Sequence, residues 1–277
     1  VVLVSLPQIE VVKAVGPIVI IPFGRYKRTD KIQRNGNVYY LTDDIELFNY
    51  GNPIGTAFSV QRDNITIDGK GFDIILTENR STIGVALNGR SNVEFCNIGV
   101  IGFAWGISLG GSTNCTISGT RVIAPEDIDA YDSGMQISSS GNKIIDNEVT
   151  GYNQYGFWVH DSNSNYFSRN VITENGVGFC FERCENNVLR DNQMYGNEKN
   201  FEVRVSTDSP GFNDIDVTNT VNNRPIYYWV NQQNKVVPAD AGFVGIINCT
   251  NITVQNLNLT DNQGILLVST TDSIIAH

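Results

Sequence analysis

Histidine, methionine and charge are all scarce in this chain of 277 residues, which has two His, two Met and 17% charged side chains. Soluble proteins typically carry about 25% charged residues. With so few imidazole and soft ligands, and no second cysteine pair beside Cys180 and Cys184, a structural zinc site is not expected. No metal or other cofactor is expected either. Lysine and arginine number 19 against 29 acids, a net charge of −10. A polyanion needs a basic face, so nucleic acid is excluded as a partner, as is simple adhesion to anionic lipid. No apolar run reaches the ~20 residues of a membrane helix, so no membrane span is expected. The segment from Val1 to Phe23 is apolar, but Gln8, Glu10 and Lys13 interrupt it and it has no basic start. It therefore does not read as a signal peptide, and the chain reads as a mature, exported form. A serine–histidine nucleophile pair and a phosphate loop are both missing. So is any regular series of tight hairpin turns, which argues against a β-sandwich.

What the chain has is a repeat. Ile83-Gly84-Val85-Ala86-Leu87 recurs as Trp105-Gly106-Ile107-Ser108-Leu109, Ser133-Gly134-Met135-Gln136-Ile137, Tyr155-Gly156-Phe157-Trp158-Val159 and Val177-Gly178-Phe179-Cys180-Phe181. The glycines stand 22, 28, 22 and 22 residues apart. Looser copies follow at Gly245 and Gly264. A fixed period of this size means stacked units that cannot bury their apolar faces alone. Apolar and polar residues alternate, which is the strand period. Second short strands follow at Val93, Cys115, Lys143 and Val188. Asparagines suit the corners, because they tolerate left-handed backbone. Asn97, Asn147, Asn170, Asn192 and Asn256 fall at one such corner. Stacked about 4.8 Å apart, their amides would form a ladder along the axis. Short strands joined at three corners per coil make an all-β chain, a parallel β-helix. One domain spans 1–277, with a lead-in segment over 1–35.

The run Asn142-Lys143-Ile144-Ile145-Asp146-Asn147, repeated from Asn165 to Asn170 and from Asn187 to Asn192, resembles the right-handed parallel β-helix repeat of carbohydrate-binding proteins and sugar hydrolases. The same repeat occurs in the periplasmic copper-binding protein of nitrous-oxide reductase maturation. Tyr39 to Ile45 and Asn64 to Gly71 look like the start of such domains, and many archaeal surface proteins, notably of methanogens, are similar. The resemblance covers roughly residues 36 to 277. It implies the fold, and leaves function open because this fold hosts many activities. Copper binding sits poorly with two His and two Met, since copper(I) prefers soft clusters.

Two stretches depart from the period. The coil before Gly134 carries an acidic loop with Glu126, Asp127, Asp129 and Asp132. It would bind calcium, serve as acid and base on a sugar, or simply be solvated. The second departure is 206–243, where Arg224 to Val230 and Lys235 to Pro238 flank Asn231 to Asn234. These runs read as a hairpin leaving the solenoid. Its aromatics Tyr227, Tyr228 and Trp229 are candidate contacts to a neighbouring subunit or a sugar, or else pack the hairpin down.

Enzymes of this fold that act on uronates need a cation and a base on one exposed face. His160 and Asp161, with Arg169, Arg183 and Glu182, are the best candidates. His160-Asp161 is similar to the end of the Asp-Pro-His-Asp motif of mannuronan epimerases, but Trp158 and Val159 replace its leading pair. Asp146, Arg169 and Asp191 also read as an ion-pair ladder along successive coils. The five cysteines, Cys96, Cys115, Cys180, Cys184 and Cys249, leave at least one unpaired. They are candidates for an intermolecular disulfide, or else small core residues. Sequons at Asn64, Asn79, Asn114, Asn248, Asn251 and Asn258 fit a glycosylated surface protein.

The leading expectation is an exported structural protein of an archaeal cell envelope, a surface-layer or sheath subunit. It would form a homo-oligomer or polymer through open β-edges and the hairpin. The alternative is a carbohydrate-binding or polysaccharide-modifying protein, lyase- or epimerase-like, acting on a cell-surface glycan.

Overall fold

The computed structural model describes residues 18–20, 26–27, 29–47, 55–77, 83–125 and 132–276. Glu126, Asp127 and Asp129 of the acidic loop, the sequon at Asn79, His277 and most of the lead-in segment lie outside these residues.

Each coil contributes three short strands. One coil is Tyr155–His160, Tyr166–Ser168 and Val171–Thr173, and the next is Val177–Glu182, Val188–Arg190 and Gln193–Tyr195. Successive coils pair in parallel and in register, with Phe157 opposite Phe179, Phe167 opposite Leu189 and Ile172 opposite Met194. The result is a right-handed parallel β-helix, the hand that parallel crossovers adopt almost without exception. Alternation turns every second side chain inward, and the core is a continuous rod. Inside it Phe157, Phe179, Phe201 and Phe243 meet edge-on or tilted, at centroid separations of 5.2, 6.0 and 4.9 Å.

The repeat glycines are needed because coils approach closely there. A Cβ on Gly156 would lie 2.5 Å from Ile172 Cγ2 and 2.7 Å from the carbonyl oxygen of Gly178, the equivalent glycine one coil on.

Asparagine ladders occupy all three corners. At the corner expected from the sequence, Asn147 donates to Asn170 Oδ1, Asn170 to Asn192 Oδ1 and Asn192 to Asn219 Oδ1. Asn147, Asn170 and Asn192 are buried. Asn97 and Asn256 are not part of this ladder. Asn97 stands opposite Gly119, and therefore opposite Asp146 rather than Asn147. It is exposed, with a φ of 55°, and donates to Asp68. Asn256 is likewise an exposed residue of positive φ. The corner has two residues in each of these coils, the first outward and left-handed (Asn97, Asp146, Arg169, Asp191) and the second buried (Ile98, Asn147, Asn170, Asn192). Second and third ladders run Asn142–Asn165–Asn187–Asn213 and Asn175–Asn197–Asn200. On the outside, the sequon residues Asn114, Asn248 and Asn251 donate to Asn92, Asn231 and Asn234.

Beyond residue 221 the chain reverses. Thr220–Val221 turns through Asn222 and Asn223, with φ of 48° and 60°, into Arg224–Val230. Two successive left-handed residues are what a tight antiparallel hairpin requires. This corrects the expected hairpin: Arg224–Val230 and Gln233–Val236 do not pair with each other. They are consecutive strands of a coil, each pairing in parallel with a later strand, Phe243–Ile247 and Thr250–Gln255. Asn231 and Asn234 turn a corner instead of closing a hairpin. A second, smaller core forms here from Val237, Ala241, Val244, Ile246, Cys249, Ile252 and Val254. The Phe243–Ile247 strand is buried on both faces, because Phe243 and Ile247 belong to the main core.

This C-terminal unit also covers an edge expected to be open. Gln263 accepts from Val203 N and donates to Val203 O, both at 2.9 Å, and Asn200 N donates to Asp261 O. Lys199–Arg204, the end strand of the sheet that carries the repeat glycines, thereby gains hydrogen-bond partners on its far side.

Candidate functional site

The outer face of the sheet that carries the repeat glycines gathers most of the candidates. Phe157 and Val159 fill the core, so Trp158 and His160 fall on the outside, and a break in the pairing at Gly156 puts Tyr155, itself buried, against Trp158 and Arg204 on that same side. Pairing then builds columns across coils: Trp105, Ser133, Tyr155, Val177, Lys199; then Ser108, Gln136, Trp158, Cys180, Glu202; then His160, Glu182, Arg204. The first coils put aromatic rings on this face and the last ones put charges there.

Trp158 is the centre of the aromatic half. It stacks on Tyr155 at 5.5 Å with 18° between planes, lies 4.4 Å from the His160 ring and meets Trp105 at 6.4 Å. Both tryptophans are half-buried, so ring area faces solvent. Trp158 Nε1 donates to Glu182 at 3.3 Å, which fixes the indole. His160 is engaged at both nitrogens, 3.1 Å from Gln136 Nε2 and 3.3 Å from Asp161 Oδ2.

The charged half is a closed network. Arg183 donates to both oxygens of Asp161, at 2.7 Å each, and to Glu182 at 2.6 Å. Arg204 donates to Glu202 at 3.0 Å and to the Tyr155 hydroxyl at 2.9 Å, and its guanidinium lies over the Tyr155 ring. Lys199 pairs with Glu202 at 3.1 Å. The Arg183 hydrogen bonds hold the Asp161 carboxyl down at about 2. Burial opposes ionisation of Glu182, yet bonds from Arg183 and Trp158 leave its pKa lowered. Burial raises the Cys180 thiol to about 12.

The structure thus brings together His160, Asp161, Arg183 and Glu182, as the sequence suggested. It separates Arg169, which sits at another corner and grips Asp146 with two bonds of 2.6 and 2.8 Å. Asp191, the third member of the expected ion ladder, donates its backbone N–H to Thr218 Oγ1 at 2.8 Å. Trp105, Tyr155, Gln136, Glu202, Lys199 and Arg204 were missed. Their signal was present, because the first and fourth positions of the five-residue repeat become adjacent columns once coils stack.

Other candidates lie elsewhere. Tyr228 is buried in the main core and donates to Gly211 O at 2.6 Å, so it is not a surface contact. Tyr227 and Trp229 meet edge to face at 6.1 Å and pack on the second core, with Lys235 over the indole. All five cysteines are free and buried; Cys115, Cys184 and Cys249 belong to the apolar cores, while Cys180 lies in the outer-face column beneath its neighbours. Alternation points them inward or beneath neighbouring side chains, and desolvation keeps Cys96 and Cys184 protonated with pKa values of about 11. Among the described residues no group of three or more His, Cys, Asp or Glu converges as metal ligands. None of the described helices or strands forms a helix long and apolar enough to cross a membrane.

Residues 25–229, more than half of the chain, match the family described as periplasmic copper-binding protein (NosD). In fold the chain is similar to pectate lyase Pel9A, with 13% identity and a TM-score of 0.55 over 82% of this chain and 60% of that one. It is also similar to the Dettilon tailspike protein (gp208), with 12% identity and a TM-score of 0.52 over 86% of this chain and 54% of that one. The chain therefore spans less than two thirds of either structure, and at these identities the likeness is one of fold. No curated protein matches the chain significantly.

Proposed function

The chain belongs to the periplasmic copper-binding protein (NosD) family, and from that premise we propose that it is an exported, non-catalytic carbohydrate-binding β-helix protein. The observation that carries the reading is the pair of half-exposed rings Trp105 and Trp158 on the outer sheet, with the buried Tyr155 stacked beneath Trp158. Aromatic rings combine a large apolar surface with low conformational cost, and flanking polar groups fix orientation. The C–H faces of successive sugar rings suit such a strip, and Gln136, Glu182 and Arg204 border it. The family description supports a periplasmic or other exported setting.

The reading is non-catalytic because the acid–base groups are occupied. His160 is held at both nitrogens, and Asp161 is clamped by Arg183. Copper also fits poorly. Met135 and Met194 are fully buried in the core, the five thiols are buried, and the ring nitrogens of His160 bond to Gln136 and Asp161. Soft-ligand clusters of the kind copper(I) prefers do not form among these side chains.

Binding of the full chain to a panel of insoluble and soluble polysaccharides tests the proposal. Retention that is lost in Trp158→Ala, with the fold intact by circular dichroism, supports it. Absence of binding to every glycan, or retention unchanged in that variant, overturns it.

A second reading, a self-assembling surface-layer or sheath subunit, draws support from one feature. Val236, Ile274 and Ile275 are 60, 59 and 52% exposed on the small C-terminal sheet. Exposed apolar strands invite pairing between chains. Ordered tubes or sheets by electron microscopy that disappear in Ile275→Lys would favour it. Discrete particles under all conditions would remove it.

A further inference from the structure

The charge pairing on the aromatic face goes further, and the inference that follows rests on the carbohydrate-binding reading. We infer that the face selects neutral glycans and discriminates against uronic-acid polymers. Every cation bordering the aromatic strip is already matched by a carboxylate of the same face. Arg183 is bound by Asp161 and Glu182, Arg204 by Glu202 with Glu182 3.5 Å away, and Lys199 by Glu202. Lys199, Arg183 and Arg204 therefore balance Asp161, Glu182 and Glu202, three against three.

A uronate carboxylate would have to displace one of these partners. Displacing Asp161 breaks two parallel hydrogen bonds to Arg183 and leaves the aspartate facing another anion. Such bidentate pairs are among the stronger hydrogen-bonded contacts. Like-charge juxtaposition is the usual way a surface rejects a wrong partner. The net charge of −10 adds a repulsive field of longer range. A neutral sugar meets none of these penalties. Its ring stacks on Trp158 or Trp105, and its hydroxyls bond to paired groups that keep spare lone pairs and N–H donors.

The test is titration calorimetry of the full chain with neutral gluco-, xylo- and manno-oligosaccharides and with oligogalacturonate and oligomannuronate, each at low and high salt. The expected result is a neutral ligand whose Kd is insensitive to salt, rising about tenfold or more in Trp158→Ala, with uronates at least about tenfold weaker. Asp161→Asn, which leaves Arg183 with Glu182 as its one carboxylate partner, should narrow that gap. Uronate binding as tight as neutral binding, and weakened by salt, overturns the selectivity while leaving the carbohydrate reading standing. If no ligand of either class binds, the carbohydrate reading itself fails and the selectivity falls with it.

Discussion

Arg183 holds Asp161 through two parallel hydrogen bonds of 2.7 Å between adjacent coils. The two residues occupy equivalent left-handed corner positions, with φ of 52° and 49°. The Asp161 pKa is lowered to about 2, chiefly by the Arg183 hydrogen bonds. An unperturbed aspartate titrates near 3.9. A depressed folded pKa means that the contribution to stability is complete above about pH 4 and is lost as pH falls toward 2. Because Asp161 is 56% exposed, that contribution is small. NMR titration of the Asp161 carboxyl carbon should show a midpoint near 2, moving up toward 3.9 in Arg183→Gln. An unshifted midpoint in the variant would mean that the pair is not formed in solution.

Two asparagines that the sequence period placed at one corner should respond differently. Asn170→Ala removes the acceptor of Asn147 and the donor to Asn192, all inside the core. Buried groups left without partners cost about 1–3 kcal/mol each, so a loss of several kcal/mol is expected by urea denaturation. Asn97→Ala, on the outside, should change stability by about 0.5 kcal/mol or less, apart from its left-handed backbone. Equal effects would contradict the ladder.

Gly156→Ala should destabilise by about 1–3 kcal/mol, the usual cost of overpacking. The added methyl would meet Ile172 and the Gly178 carbonyl, and backbone moves less readily than a flexible side-chain end. A thermal melt by circular dichroism reads this directly. An unchanged melting temperature would show that the coils can separate to admit it.

The thiols should be silent in the native state. Burial raises Cys180 to about 12 and Cys184 and Cys96 to about 11, and the thiolate is the reactive form. Ellman's reagent should therefore titrate none of the described cysteines until denaturant is added, when all five react. Reductant should leave the oligomeric state unchanged. Rapid native labelling of Cys180 would contradict its burial.

The fold was largely legible because its signal is local and repeated. Alternation in Phe157 to His160 sets which side chains face inward, and the glycine period sets the coil length. Two features were not legible. The Asn222-Asn223 reversal looked like part of an ordinary polar stretch, so the hairpin was placed a few residues too late. The face around Trp158 was only half visible, because His160 and Asp161 are neighbours in sequence whereas Trp105, Glu202 and Arg204 come from other coils.

The sequence by itself determined the coil, the identity of its inward residues and the asparagine corners, since each depends on contacts between equivalent positions one period apart. Only the tertiary structure decided which charges are matched, which asparagine of a corner is buried and how the end of the solenoid is covered. Those outcomes turn on single-residue shifts of position within a corner and on contacts across long separations, such as Gln263 with Val203. A periodic pattern fixes the spacing of coils, whereas side-chain reach and backbone hand at each corner decide what meets across them.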